Sequence, residues 1–195
     1  VDSQPGNIVL FAVGQNMHGY TAEPDHQRSI KSWLGWSKLS KQKMIWRPNF
    51  GNNDVGYPLN YAHRIAADIK LFYANKMIGT DIDHLRRLWA GSGLTYYVYH
   101  QLFWDPTRDV DAMIRDYCEK GFGPAAKQIK TYFDYVEKLT TDIANKEETG
   151  YHPMGLPGGQ SGSFGLATHY TPAITKKLHD LLDAAVPAAG DDTVI

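Results

Sequence analysis

The stretch from Met77 to Pro106, MIGTDIDHLRRLWAGSGLTYYVYHQLFWDP, decides the fold that the sequence predicts. It begins as a short apolar run, passes through Asp81 and Asp83, and continues as an aromatic segment with helical spacing that ends at Asp105-Pro106. A strand that presents carboxylates at its carboxyl end, followed by a helix that packs back on the sheet, is the repeating unit of α/β barrels. We therefore predict one strand-helix unit here.

Two similar units precede this stretch. The apolar runs at residues 7–13 (NIVLFAV) and 43–47 (KMIWR) predict strands, and each is followed by a polar loop. A helix with Asp25 as its N-cap is predicted after the first loop, and a second helix is predicted after Pro58. Three strand-helix alternations in a row predict a parallel sheet with right-handed crossovers.

The second half of the chain carries helical patterns without a strand signal. Asp109 is the predicted N-cap of one helix, Pro124 the predicted first residue of the next, and Thr171-Pro172 the predicted start of a last helix. Residues 149–170 are rich in Gly, Pro and Ser, which predicts a loop.

The predicted fold class is α/β, with residues 1–106 forming the last strand-helix units of a (β/α)8-type barrel and residues 107–195 forming a helical region. A sheet of only three strands leaves two edges without partners, which is a liability for an isolated domain. We therefore expect a missing N-terminal part of the same protein to complete the barrel, so that this chain would be a fragment.

The composition limits the classes of function. The net charge is -1 over 195 residues, and interleaved acids and bases form no basic patch for nucleic acid or an anionic membrane. No apolar run approaches the ~18 residues that a membrane span needs. Cys118 is the only cysteine, so neither an internal disulfide nor a cysteine-based zinc site can form. We predict neither a metal nor another cofactor.

The candidate binding residues lie near the carboxyl ends of the predicted strands, where α/β proteins place their functional loops. Their amides, imidazole and aromatic rings suit a polyhydroxylated ligand, which makes a carbohydrate the expected partner. The candidate substrate-binding residues are Asn16, His18, Tyr20, Trp46, Asn49, Asn52 and Trp89. The alternatives are that a loop histidine is merely solvated and that the aromatic rings belong to the core.

Asp81 and Asp83 are the candidate catalytic residues. They alternate about Ile82, so both side chains point the same way if the strand continues through them. Two carboxyl groups on one face can act as an acid and a base when their environments differ. Glycoside hydrolysis needs carboxyl groups ~5–9.5 Å apart, and neighbours on one strand reach only the short end of that range. A partner carboxylate from another loop, or an aspartate that merely caps the next helix, are the alternatives.

Three segments carry a family resemblance: GTDID, WAGSGLTYYVYHQLFWDP and DVDAMIRDYCEKGFGPAAKQIKTYF. Together they resemble domain-of-unknown-function family 4838 of bacterial proteins. The resemblance implies a TIM-barrel region akin to α-glucuronidases and hexosaminidases, followed by a helical region. It also implies secretion or a periplasmic location.

The function that this resemblance implies is glycoside hydrolysis of a polysaccharide or oligosaccharide by carboxylate acid/base chemistry. Residue roles carry over only to Asp81 and Asp83, although such barrel positions in glycosidases often hold a glutamate. The alternatives are a non-catalytic carbohydrate-binding module and a structural or interaction domain.

Overall fold

The computed structural model describes residues 9–12, 23–48, 57–82, 89–146 and 169–190, and it is a mostly helical mixed α/β fold. In chain order the elements are β1 (Val9–Ala12), α1 (Glu23–Leu39), β2 (Met44–Arg47), α2 (Ala62–Ala74), β3 (Met77–Thr80), α3 (Trp89–Trp104), α4 (Val110–Phe122), a 3-10 turn (Gly123–Ala125), α5 (Ala126–Lys146), α6 (Pro172–Asp183) and α7 (Val186–Ala189).

The three strands form a parallel sheet in the order β1-β2-β3. Parallel neighbours that follow each other in the chain need a crossover helix, and α1 and α2 occupy these two connections. The predicted alternation of strand and helix is therefore confirmed. An irregularity between Met44 and Ile45 shifts the register, so that Trp46 pairs with Thr80.

One face of the sheet packs on the helices. Met44 and Trp46 are fully buried, while Ile45 and Arg47, which alternate with them along β2, are only half-buried. The Trp46 ring meets Phe72 of α2 at 5.1 Å between centroids. Because right-handed crossovers between strands in sequential order place their helices on one face, α1 and α2 share this face.

An aromatic cluster holds the first two helices against each other. Trp33 of α1 stacks on Phe72 with ring centroids 4.6 Å apart, and its indole nitrogen donates to the Asn75 carbonyl at 3.0 Å. The rings are fully buried, so the cluster contributes through apolar area as well as through ring contact. The core of the sheet and the core of the helical half are continuous.

Helix starts differ from the sequence predictions in three places. Helix α1 begins at Glu23, so Asp25 lies inside it and the predicted N-cap is wrong. Pro24 explains this start, because its fixed φ suits the first helical turn. Helix α2 begins at Ala62 rather than directly after Pro58. Helix α3 begins at Trp89, one turn before Gly93, where its apolar pattern predicts the start.

The predicted N-cap Asp109 and the predicted helix start at Thr171-Pro172 are confirmed. Asp109 accepts a hydrogen bond from the Ala112 amide at 3.2 Å, and Thr171 accepts one from the Ile174 amide at 3.4 Å. Pro124 lies in the 3-10 turn rather than at the first position of α5. Most of the predicted loop, residues 149–168, lies outside the described residues.

Candidate functional site

The carboxyl ends of β2 and β3 place Arg47 and Asp81 side by side. The Asp81 amide donates to the Trp46 carbonyl at 2.9 Å, which extends the pairing of the strands past the end of β3. The Thr80 hydroxyl donates to the same carbonyl at 2.8 Å. These two bonds hold the backbone beneath the Asp81 carboxylate in place. We call this end of the sheet the carboxyl edge.

Arg47 and Asp81 form an ion pair at the carboxyl edge. A guanidinium nitrogen of Arg47 donates to the Asp81 Oδ2. The Asp81 side chain is 49% exposed, so the pair contributes little to stability and its main effect is to orient the carboxylate. A carboxylate in this position can accept hydrogen bonds from hydroxyl groups, act as a base or act as a nucleophile. The guanidinium has further N–H groups that can donate hydrogen bonds to a ligand.

Tyr99 of α3 lies beneath this pair. Its hydroxyl is 3.5 Å from the Thr80 hydroxyl, and its ring is fully buried. Burial raises the pKa of Tyr99 above its ordinary value, and the nearby Asp81 charge acts in the same direction. Tyr99 therefore stays a neutral phenol. We assign it a structural role, in which it packs against the strand residue that precedes Asp81.

The two described tryptophans of the predicted binding set have opposite placements. Trp89 begins α3 and is 58% exposed, so its ring offers surface to a ligand. Trp46 is 1% exposed, and its ring packs on Phe72 and Phe103. A ring buried this deeply has no surface for a ligand, so we leave Trp46 out of the site.

Trp89 is held over Gly93. A Cβ at Gly93 would lie 3.0 Å from the Trp89 indole nitrogen and 2.8 Å from the Tyr117 hydroxyl. A side chain at Gly93 would therefore displace the indole or the phenol, so the glycine permits their close contact with this turn of α3. This contact positions the exposed indole on the first turn of α3.

The remaining predicted site residues lie outside the described residues. They are Asp83, Asn16, His18, Tyr20, Asn49 and Asn52. Arg47 was missed by the sequence reasoning, although a signal for it existed. It occupies the alternate position of β2 relative to the inward-facing Trp46, so the period of a strand places it on the opposite face.

A profile of the family described as Domain of unknown function (DUF4838) matches residues 4–134. This chain belongs to the DUF4838 family. The matched part includes the sheet, α1 to α4 and the first turns of α5, and so contains the Arg47–Asp81 pair and Trp89. Searches of curated proteins and of solved structures found no match.

A second charged cluster of the DUF4838 chain joins α2, α4 and α5. His63 Nδ1 lies 2.8 Å from Glu137 Oε2, and its Nε2 lies 3.3 Å from Asp111 Oδ1. The His63 amide also donates to Glu137 at 3.0 Å, so this carboxylate caps the first turn of α2 from another helix. The cluster sits outside the carboxyl edge and connects three helices.

The His63 cluster predicts a pH dependence of stability. The hydrogen bond that the His63 ring donates to Glu137 raises the pKa of His63 to about 9, although desolvation by burial lowers it. Because the folded-state pKa is raised, the stabilisation is fully present below about pH 6.5 and is lost as the pH rises through about 9. His63 is half exposed, and solvent screens its interaction with the two carboxylates. We therefore expect the ion pairs to contribute only about 1 kcal/mol to the free energy of unfolding.

Urea unfolding at pH 6 and pH 9.5 tests this prediction. The difference in unfolding free energy between the wild type and His63→Gln should shrink by about 1 kcal/mol from the lower to the higher pH. His100→Gln is the matched control, because His100 is an exposed helical histidine outside this cluster. An equal difference at both pH values would contradict the assignment.

A buried pair joins α1 to α2. His26 Nε2 lies 3.0 and 2.9 Å from the two carboxylate oxygens of Asp68, and both residues are buried. Glu23 lies 3.6 Å from the other ring nitrogen of His26, and Arg64 lies 3.7 Å from Glu23. Burial lowers the pKa of Arg64, although both acids act against this shift. We assign this group to helix packing.

Other classes of site find no support in the described residues. Burial raises the pKa of the Cys118 thiol to about 11, which leaves it a poor nucleophile. Within the described ranges, no group of three or more His, Cys, Asp or Glu side chains is arranged to hold a metal ion. None of the described helices combines the length and the apolar content needed to cross a bilayer.

Proposed function

We propose that this DUF4838 chain is part of a glycoside hydrolase in which Asp81 supplies one of the two carboxyl groups. The observation that carries the proposal is the Arg47–Asp81 pair at the carboxyl edge of parallel strands. Active sites of (β/α)8 barrels lie at this end of the sheet. The exposed Trp89 at the start of α3 adds a flat apolar surface on which a sugar ring can stack.

The described part of the sheet is compatible with a barrel, in which parallel strands follow each other in order and the helices lie on one face. Here the strand order is sequential, and the side chains of Met44 and Trp46 meet helices while Ile78 on β3 is exposed. We propose that further strands of the same protein close this sheet, with the helix-free face turned inward.

In the proposed chemistry, Arg47 orients the Asp81 carboxylate and the carboxylate reacts. The Arg47 guanidinium holds the Asp81 carboxylate in one orientation, and that carboxylate either attacks the anomeric carbon or takes a proton from a water molecule. A second carboxyl group, from Asp83 or from a neighbouring strand, would protonate the leaving oxygen. A separation of ~5–5.5 Å between the two groups implies retention, and ~6.5–9.5 Å implies inversion.

A hydrolysis screen of the purified full-length protein, including the strands proposed to close the sheet, tests the proposal. Neutral polysaccharides, glucuronic-acid-containing xylan and N-acetylhexosamine polymers would be incubated with it, and released reducing ends would be measured. Turnover of any of these substrates that fails in an Asp81→Asn protein supports the proposal. Turnover of none of them, or turnover that is unaffected by Asp81→Asn, contradicts it.

A non-catalytic carbohydrate-binding module is the second candidate. The same ion pair favours it, because Arg47 and Asp81 offer donors and acceptors to sugar hydroxyls without any proton transfer. Trp89 would provide the stacking surface in this case as well. Saturable binding of a glycan without turnover would favour this candidate over the hydrolase.

A further inference from the structure

A cavity of about 340 Å³ lies between α5, α6 and the segment that precedes α2. Tyr132 and Leu178 are buried and form its floor, while His179 and Leu182 are exposed at its mouth. Its volume falls in the range of roughly 300–1,000 Å³ that ligand pockets occupy. The cavity is separate from the Arg47–Asp81 pair.

The cavity has an ordered aromatic wall. The rings of Tyr57 and Tyr170 lie 4.7 Å apart with an angle of 32° between their planes. The Tyr170 hydroxyl donates to the Pro58 carbonyl, which ties the segment before α6 to the segment before α2. Because both rings are held by these contacts, little side-chain freedom remains to be lost when a ligand binds.

The polar groups of the cavity suit a neutral ligand with hydroxyl groups. Tyr132 lines the cavity, is 8% exposed and brings a hydroxyl to an otherwise largely apolar lining. Burial raises the pKa of Tyr132, so the group is a phenol that can both donate and accept. The lining residues include no Asp, Glu, Lys or Arg.

The wall lies next to the start of α3. The Leu59 amide donates to the Gly91 carbonyl at 3.2 Å, and a Cβ at Gly91 would lie 3.4 Å from the Tyr57 carbonyl oxygen. Tyr57 therefore packs on the first turn of α3, which Trp89 begins. The aromatic wall and the exposed indole of Trp89 therefore both lie at the start of α3.

We propose that this cavity is a remote subsite that binds a neutral glycosyl unit of an oligosaccharide extending from the carboxyl edge. A pyranose ring has apolar C–H faces, which pack on Tyr57 and Leu178, and a rim of hydroxyls for Tyr132 and His179. The link to the carboxyl edge rests on the proposed function, whereas the binding of a neutral sugar in the cavity does not.

A neighbouring cavity of about 350 Å³ provides an internal comparison. Tyr135 of α5 lines it together with Lys138 and Asp142, and these two charged side chains pair with each other at 2.6 Å. A neutral sugar placed there would compete with an existing ion pair. Tyr135 is therefore a matched control for Tyr132, since both tyrosines lie on the same helix and each lines one of the two cavities.

Calorimetric titration with cellohexaose, maltohexaose and xylohexaose tests the subsite. We expect at least one of them to bind, and Tyr132→Phe to weaken that binding by about 2- to 12-fold, the cost of one lost neutral hydrogen bond. Tyr57→Ala should weaken it by at least about tenfold, because the wall is removed. Tyr135→Phe should bind like the wild type.

Two results would overturn the inference. If none of the three hexasaccharides binds, or if Tyr132→Phe and Tyr135→Phe bind equally well, the subsite is overturned. Tyr132→Phe keeps the ring, so this comparison holds even if Tyr57→Ala fails to fold. Measuring turnover of the hexasaccharides by the wild type, with binding measured in the Asp81→Asn background, separates the two proposals: Tyr132-dependent binding with no wild-type turnover retains the subsite and removes the hydrolase, and wild-type turnover without Tyr132-dependent binding does the reverse.

Discussion

The Asp81→Asn variant is expected to lose glycoside hydrolysis by about 10²- to 10⁴-fold in kcat, the range that one catalytic acid or base contributes. Asparagine has the size of aspartate and its amide oxygen can still accept from the Arg47 guanidinium, so the orientation of the side chain should persist. The negative charge that serves as base or nucleophile is removed. Substrate affinity should stay within a few-fold of the wild type, because shape and hydrogen bonding are retained.

Steady-state kinetics and calorimetric binding, measured on the same preparations, check this prediction. Asp134→Asn is the control, since Asp134 is an exposed carboxylate on α5 that pairs with Lys130 at 2.8 Å, away from the carboxyl edge. A kcat that falls equally in both variants would reject the role of Asp81. Loss of binding together with activity would assign Asp81 to substrate binding rather than to catalysis.

The Trp46→Ala variant is expected to lose about 3–5 kcal/mol of unfolding free energy, the usual cost of truncating a buried aromatic side chain. The Trp46 ring meets Phe72 of α2 at 5.1 Å and Phe103 of α3 at 6.4 Å between centroids. Its removal would leave a cavity where the sheet and two helices meet. Urea unfolding followed by circular dichroism measures the loss.

Trp89→Ala is the matched comparison for this second prediction. Trp89 is the other described tryptophan of the predicted binding set, and its exposed indole should contribute about 1 kcal/mol or less to stability. Its replacement should instead weaken carbohydrate binding. Equal losses of stability in the two variants would show that the distinction between an inward and an outward tryptophan is wrong. Trp46→Phe keeps the comparison measurable if the alanine variant does not fold.

Much of the secondary structure follows from local features of the sequence. The apolar runs that predict β1, β2 and β3 and the periodic stripes that predict α4 and α5 identify elements that the structure contains. The caps at Asp109 and Thr171 were also predictable, because a capping side chain bonds an amide only a few residues ahead. Asp25 shows the limit of this reasoning, since a proline one position earlier starts the helix sooner.

The composition of the candidate site was only partly predictable. Asp81 was identified by its position after a strand, but Arg47 entered the site through strand register, which places residues 34 apart in the sequence next to each other. The sequence pattern did not distinguish Trp46 from Trp89, because both follow or end a predicted strand. The inward face of β2 buries one of them, while the first turn of α3 exposes the other.

The sequence by itself determined the family, the order of strands and helices, and the carboxylate at the end of β3, because these depend on neighbouring residues and on periodicity. Only the tertiary structure decided the Arg47–Asp81 pair, the three-helix contact of His63, and the cavity that Tyr57, Tyr132 and Tyr170 line. Each of these depends on which faces of separate elements pack together, and the residues of a single short segment do not predict that packing.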